Sequence, residues 1–190
     1  PLNMGMLGMH GSYAPNVMEN KCDVLIAIGM RFSDRVTGRL DSYAKQAKVI
    51  HLDIDVAEID KNVKTDVAVV GDCKMSLPAI TRLLKKNVHR EWRDSFKPLF
   101  AQENEKVIQP AIHRPDGPLL MGGVANVVAE VTKGDAIVVT DVGQNQMFSC
   151  RYTKFKRTRN IVTSGGLETM AYELLLAVRM PPVRLRRSSL

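Results

Sequence analysis

Three short apolar runs, each rich in β-branched residues and each ending in a glycine or an acid, constrain this chain most: KCDVLIAIG at 21–29, KVIHLDID at 48–55 and VAVVGD at 67–72. Runs of this kind read as strands buried on both faces. Segments of helical character lie before and between them: APNVMENK, then VAEIDKN, then MSLPAITRLLKKN at 75–87, with Pro78 in a first turn where proline is tolerated. Strands alternating with helices predict a Rossmann-like α/β unit, a parallel sheet covered on both sides. Val24, Leu25, Ile26, Val49, Ile50, Val67 and Val69 are its expected core.

After Asn87 a charged, aromatic-containing segment, HREWRDSFKPLFAQENEKVI, reads as a helix that ends at QPAIHRPDGP, where three prolines and a glycine make a linker. A second unit then opens with a helix over MGGVANVVAEVTKG. Its apolar residues Val124, Val127, Val128 and Val131 have the spacing of an amphipathic helix. The strand DAIVVTD follows. Beyond TSGG no clear period survives, and MPPVRLRRSSL has the bias of a disordered tail or of an out-of-frame reading.

Charge and cysteines narrow the function classes. The chain of 190 residues carries a net charge of +7, but the last forty residues hold nine Lys/Arg against two Asp/Glu and account for all of it. The body is neutral, and no aromatic residue is interleaved with the final basic cluster, so neither a nucleic-acid nor a membrane partner is expected. No stretch approaches the ~20 apolar residues of a membrane span, and PLNMGMLGMH lacks the layout of a signal peptide, so the expected location is cytoplasmic. Cys22, Cys73 and Cys150 form no C-x-x-C pair and read as reduced thiols. His10, His51, His89 and His113 show no metal spacing and default to structural roles.

Open α/β sheets bind ligands beyond the carboxyl ends of their strands. At the first such end, GMRFSDRVTG places Arg31 and Arg35 on either side of Asp34. One carboxylate can hold two guanidinium groups toward a diphosphate, whose oxygens match arginine's fork of donors; a plain surface ion pair is equally compatible with these residues. At the second, Asp53 and Asp55 alternate on a strand, where a carboxylate can accept from ribose hydroxyls. The opening GMLGMHG has a G-x-x-G-x-x-G spacing, which is not the dinucleotide fingerprint; it permits close approach to a flat ring or simply a turn packed by methionines. In the second unit the turn VGQNQM follows a strand and can offer backbone donors to a phosphate. No side-chain nucleophile motif is present, so any catalysis would fall to a cofactor.

Read in order, MGMLGMHG, CDVLIAIGMRFSDRVTG, KVIHLDID, VVGD, IVVTDVGQNQM and TSGGLETM resemble the acetohydroxyacid (acetolactate) synthase catalytic subunit over about residues 1–170. The resemblance implies an internal fragment: residues 1–87 as the later part of a central flavin-contacting domain, 88–118 as helix and linker, 119–175 as the incomplete start of a thiamine-diphosphate domain, and 176–190 as a basic tail. It implies condensation of two 2-ketoacids with loss of carbon dioxide, using thiamine diphosphate, Mg2+ and FAD. A homo-oligomer with a small regulatory subunit is implied as well. Leu7, Gly8, Met9, His10 and Gly11 would border the flavin ring, with Gly29, Arg31, Phe32, Asp34, Arg35 and Val36 along the ribityl diphosphate. Asp53, Ile54, Gly71 and Asp72 would surround the adenosine end. Gly143, Gln144 and Asn145 would meet the thiamine diphosphate, and Met170 matches the large residue that holds that cofactor bent.

The sequence also departs from the pattern. Ser33 replaces an acid, Asn145 a histidine, and Glu168 and Ala171 glycines, while Glu173 introduces a charge where small or apolar residues are usual. The magnesium block and the pyrimidine domain with its activating glutamate are not matched, so no catalytic or metal-ligating residue is assigned, and the chain alone is expected to be inactive. The alternative is a free-standing flavin- or nucleotide-binding module without catalysis.

Overall fold

The computed structural model describes residues 2–113, 116–157, 159–166 and 170, which divide into two compact units at Glu105 and Lys106. The expected tail at 176–190, together with Glu168, Ala171 and Glu173, lies outside the described residues.

In the first unit, α1 (Tyr13–Glu19) leads into β1 (Val24–Ile28), α2 (Asp34–Thr37) and β2 (Lys48–Asp53). A 3-10 turn at Val56–Glu58, β3 (Val67–Val70), α3 (Cys73–Leu83), α4 (Arg90–Asp94) and α5 (Phe96–Glu103) follow. The sheet order is β1-β2-β3 and both pairings are parallel, with Leu25 opposite Val49 and Leu52 opposite Val69, as the alternation of runs and helices predicts. The turn at Val56 is all that forms of the helix expected over VAEIDKN. α3 starts at Cys73 because the Asp72 side chain accepts from the Lys74 N–H, which satisfies an otherwise unpaired donor. Pro78 therefore falls in the second turn rather than the first.

Burial departs from the expectation of a sheet covered on both sides. One face packs well: Ala27 and Val49 meet Phe32, Tyr43 and Ala44 from the β1–β2 connection, with Leu25 and Ala47 at the margin. On the other face Leu52 is covered, but Val24, Ile26 and Val67 are 45%, 55% and 51% exposed, and Ile50 and Val69 are half-buried. The physical reason is that α3 buries no residue of its own and makes its main sheet contact with β2, so the flanking strands stay bare. A second small core joins α1 to α5 through Ala14, Met18 and Phe96. There the buried Glu103 carboxylate accepts the Tyr13 N–H at 2.9 Å, ninety residues away in sequence, and so caps the first turn of α1.

The helix expected to stop at QPAI continues past a π-helical turn at Asn104–Ile108 into α6 (Gln109–Ile112), whose Pro110 sits at the start where no N–H is needed. The rest of the second unit contains α7 (Met121–Val131), β4 (Val138–Thr140), α8 (Gln144–Tyr152) and β5 (Ile161–Thr163), with β4 and β5 paired in parallel. α7 forms where its period predicts, but the valine stripe does not face the core: Val124, Val127, Val128 and Val131 are exposed. Gly122, Gly123, Asn126 and Ala129 are buried instead. Gly122 lets the Tyr152 ring of α8 approach so closely that an added Cβ would lie 2.9 Å from Cε1. Shape, not hydrophobicity, selects the buried side here.

Candidate functional site

The carboxyl ends of the three strands are tied together by backbone hydrogen bonds. The Gly29 N–H donates to the Leu52 carbonyl at 2.8 Å, and the Gly71 N–H to the Asp53 carbonyl at 2.9 Å. Past β1 the chain leaves the sheet through Arg31 and Phe32 and enters α2 at Asp34. Phe32 has φ 49, and its ring is 2% exposed, edge-on to both Tyr43 and His51. Its side chain is core, so only its backbone remains for a ligand. Arg31, Asp34 and Arg35 are exposed, and Arg35 Nη1 meets Asp34 Oδ2 at 3.1 Å. With both side chains more than half exposed, that pair adds little stability, and its main effect is to fix where the guanidinium points.

The glycine-rich opening folds onto this turn. Gly8–His10 form a 3-10 turn closed by the Gly11 N–H to the Gly8 carbonyl at 3.0 Å. Gly8, at φ +74, abuts α2 so tightly that a Cβ would overlap the Arg35 carbonyl oxygen and lie 2.6 Å from Val36 Cα. Asn16 of α1 clamps the turn from behind, its Oδ1 accepting the Gly8 N–H at 2.7 Å and its Nδ2 donating to the Gly8 carbonyl at 3.1 Å. Leu7 and His10 are half-buried, Met9 is 51% exposed, and Gly11 is buried. Between this turn and Asp34–Gly38 opens a pocket of about 330 Å³, within the usual range for a ligand pocket. Glu19, Asn20, Ser42 and Tyr43 complete its lining.

Glu19 and Tyr43 give the pocket its electrostatic character. They are 8% and 5% exposed, and the Glu19 carboxyl and the Tyr43 hydroxyl lie close enough to interact with each other. Burial raises the Glu19 carboxyl above its ordinary value, and the nearby Tyr43 hydroxyl opposes that rise. Burial, followed by Glu19, pushes the Tyr43 phenol far up, and burial followed by Glu19 raises the Cys22 thiol. Cys22 Sγ donates to the Glu19 carbonyl at 3.0 Å, so this thiol is a small buried group rather than a nucleophile.

The remaining strand-end residues are present but already engaged. Asp53 is 8% exposed, its Oδ1 accepts the Asp55 N–H at 2.9 Å, and its Oδ2 lies 3.8 Å from His51 Nε2. Asp72 caps α3, Gly71 is half-buried, and Ile54 is 73% exposed. Sequence reading picked out these positions but not Asn16, Glu19, Tyr43 or Asn62. Asn62 Nδ2 donates to the carbonyls of Arg31 and Phe32, both at 3.1 Å, and holds the β1 exit from thirty residues away. None of the four belongs to a glycine-rich turn or a recognised motif, so no local signal marks them.

In the second unit the turn after β4 runs through Gly143, at φ 121 with open space where a Cβ would stand, into the N-terminus of α8. Gly143 and Gln144 are exposed there, so backbone N–H groups remain available to an anion. The Asn145 Oδ1 accepts the Gln146 N–H at 2.6 Å, and Gln146 Nε2 donates to Thr163 Oγ1 at 2.5 Å, which ties α8 to β5. Met170 is 78% exposed. Among the described residues no group of three or more acidic, histidine or cysteine side chains could hold a metal ion, and no helix is long and apolar enough to cross a membrane.

These features fit the groups that the motifs call for. A flavin's flat ring suits a glycine turn beside a pocket of this size, and its diphosphate suits the exposed Arg31 and Arg35. A diphosphate also suits the start of α8.

The family described as "Thiamine pyrophosphate enzyme, central domain" matches residues 1–80. The chain is 40% identical over 179 residues to the acetolactate synthase large subunit of Lactococcus lactis, covering 93% of this chain and 30% of that protein. It is 40% identical over 184 residues to the probable acetolactate synthase large subunit of Methanocaldococcus jannaschii, covering 94% of this chain and 31% of that protein. Against acetolactate synthase 1, chloroplastic, of Zea mays it is 37% identical over 186 residues, covering 92% and 27%. The chain thus spans less than a third of the length of these relatives. It belongs to the acetolactate synthase large-subunit family of thiamine pyrophosphate enzymes, with that family's central domain in residues 1–80.

Proposed function

We propose that this chain is the flavin-contacting part, with the beginning of the thiamine-diphosphate part, of an acetolactate synthase: an enzyme that condenses pyruvate with pyruvate or 2-ketobutyrate and releases carbon dioxide. The observation that carries this reading is the pocket where the Leu7–Gly11 turn meets Asp34–Gly38 at the end of β1. Leu7–Gly11 border the flavin ring, Arg31 and Arg35 hold its diphosphate with Asp34 orienting Arg35, and Gly29, Phe32 and Val36 contribute backbone. Ile54, Gly71 and the neighbouring Asp53 and Asp72 take the adenosine end. The domain limits follow that division of labour: 1–87, 88–118, 119–175 and 176–190.

Gly143, Gln144 and Asn145 hold the diphosphate of thiamine diphosphate at the start of α8, with Met170 beside the cofactor's ring. Bound there, thiamine diphosphate supplies the carbanion chemistry that decarboxylation and carboligation require. This chain's own residues bind and orient. Magnesium accompanies the diphosphate through ligands other than the described residues. The partners are 2-ketoacids, further copies of the chain and a small regulatory subunit, in the cytoplasm. Nothing favours a free-standing module over this reading.

The test is FAD titration by fluorescence quenching against the chain and against an Arg31→Ala, Arg35→Ala double variant. Weak binding that the double variant loses is expected, because a half-built site binds weakly. Equal binding by both forms overturns the role given to the arginines.

A further inference from the structure

The chain leaves β1 through a bend that its local sequence does not favour. Phe32 carries a full side chain, yet it has φ 49, a left-handed conformation that crowds the Cβ of an L residue. Along an extended strand successive carbonyls point to opposite sides, whereas a left-handed residue can turn them toward one point. Here the carbonyl oxygens of Arg31 and Phe32 converge, and Asn62 Nδ2 meets both at 3.1 Å. Both partners are acceptors, so the group facing them is the amide NH2, with one hydrogen for each carbonyl. Asn62 is itself fixed by a loop with its own closures. Asp55 Oδ1 accepts the Ala57 N–H at 2.9 Å, Lys61 Nζ meets Glu58 Oε1 at 2.7 Å, and Asp60 Oδ1 accepts the Thr65 N–H at 2.7 Å across Asn62. The next residue, Val63, packs on the core formed by Phe32, Tyr43 and Ala44. The β2–β3 connection thus delivers a fixed double donor to a strained turn at the end of β1.

Arg31 sits on this turn, and its Cα lies in the first of the two peptide planes whose carbonyls Asn62 holds. The amide therefore fixes the base from which the Arg31 guanidinium reaches. Arg35, in α2, is located by other groups: Asp34 Oδ2 meets its Nη1 at 3.1 Å, and Gly8 abuts its backbone. Resting on the flavin reading above, we propose that Asn62 is a positioning residue of the flavin site. It holds the Arg31–Phe32 turn so that Arg31 meets the cofactor's diphosphate, and it does not act on Arg35. Its own amide hydrogens stay on the two carbonyls, so it works through Arg31 rather than by touching the cofactor.

The experiment is a double-mutant cycle on FAD affinity, read by flavin fluorescence quenching with the full chain. Asn62→Leu keeps the shape of the side chain and removes its donors. It is expected to weaken FAD binding about fivefold, which corresponds to about 1 kcal/mol, the typical net contribution of a hydrogen bond. In an Arg31→Ala background the same change should weaken FAD by less than twofold, because the group that Asn62 positions is gone. In an Arg35→Ala background the fivefold loss should persist. Arg31→Lys, whose flexible point charge depends less on the backbone beneath it, replaces Arg31→Ala if the latter leaves no measurable binding. Trp92 emission on heating reports whether each variant is folded. A purely structural role would weaken FAD equally in both arginine backgrounds, and that result overturns the inference. Asn62→Ala repeats the cycle if Asn62→Leu does not fold; failure of both to fold also overturns it, since Asn62 would then serve the fold rather than the site. FAD binding that needs Arg31 but ignores Asn62→Leu sinks this inference alone, and no FAD binding at millimolar concentration sinks the flavin reading with it.

Discussion

Replacing Gly8 by alanine should be among the most damaging single-methyl changes in the first unit. At φ +74 a side chain is strained by about 1–2 kcal/mol. The new Cβ also collides with backbone, overlapping the Arg35 carbonyl oxygen and lying 2.6 Å from Val36 Cα, and backbone cannot rotate away as a side-chain tip can. Such overpacking typically adds about 1–3 kcal/mol, so Gly8→Ala should cost about 2–5 kcal/mol. Gly38→Ala is the matched control. Gly38 has φ +59 with nothing within 4 Å of a Cβ, so it carries the strain alone, about 1–2 kcal/mol. The single tryptophan, Trp92, belongs to the first unit, so its fluorescence on heating or in urea follows that unit's unfolding. A gap of about 2 kcal/mol between the variants corresponds to roughly 8–16 °C for a domain of this size. FAD affinity should fall with Gly8→Ala, since the turn must retreat from α2 and open the pocket. Equal destabilisation by the two alanines would falsify the claim that close backbone approach is what Gly8 is for.

Asn16→Ala removes both hydrogen bonds that clamp Gly8 and should destabilise the first unit by about 1–3 kcal/mol, read by the same Trp92 transition; a loss under about 0.5 kcal/mol refutes the clamp. In α7, Val127→Lys should change stability by no more than about 0.5 kcal/mol, whereas Gly122→Ala should cost about 1–3 kcal/mol by overpacking against the Tyr152 ring of α8. Urea unfolding followed by circular dichroism would reject the assigned face if the order were reversed. Two carboxyls should give opposite pH dependences. The Glu19 pKa is raised in the fold, so the native state binds the extra proton, and stability falls as pH rises from 4.5 through the raised value. Glu19→Gln should remove that fall, and an unchanged profile would count against the burial of its charge. The Asp66 pKa is lowered, chiefly by the Val49 N–H and then by Lys48, so its contribution is present above pH 3.8 and lost as pH drops through the lowered value. Asp66→Asn should flatten that acid limb, and an acid limb left unaltered would refute the assignment.

Local pattern alone determined the α/β class and the positions of most elements. Val24–Ile28, Lys48–Asp53 and Val67–Val70 are strands because β-branched runs favour extended backbone, and α7 is a helix because its apolar period is helical. The glycines and arginines of the strand-end turns were also legible, because turn conformation and charge are properties of single residues. What each surface meets was not. Periodicity puts four valines on one side of α7 but cannot say that Tyr152 would pack against Gly122 on the other, because that choice depends on the shape of a residue thirty positions away. It likewise marks Ile26 and Val67 as core without knowing that α3 would lie mainly over β2. The pocket floor was invisible for the same reason: Glu19 reads as a solvated helix residue and Tyr43 as a loop aromatic, and only tertiary packing buries their polar atoms side by side. Burial, and the desolvation that gives a carboxyl its altered chemistry, are set by neighbours in space rather than in sequence.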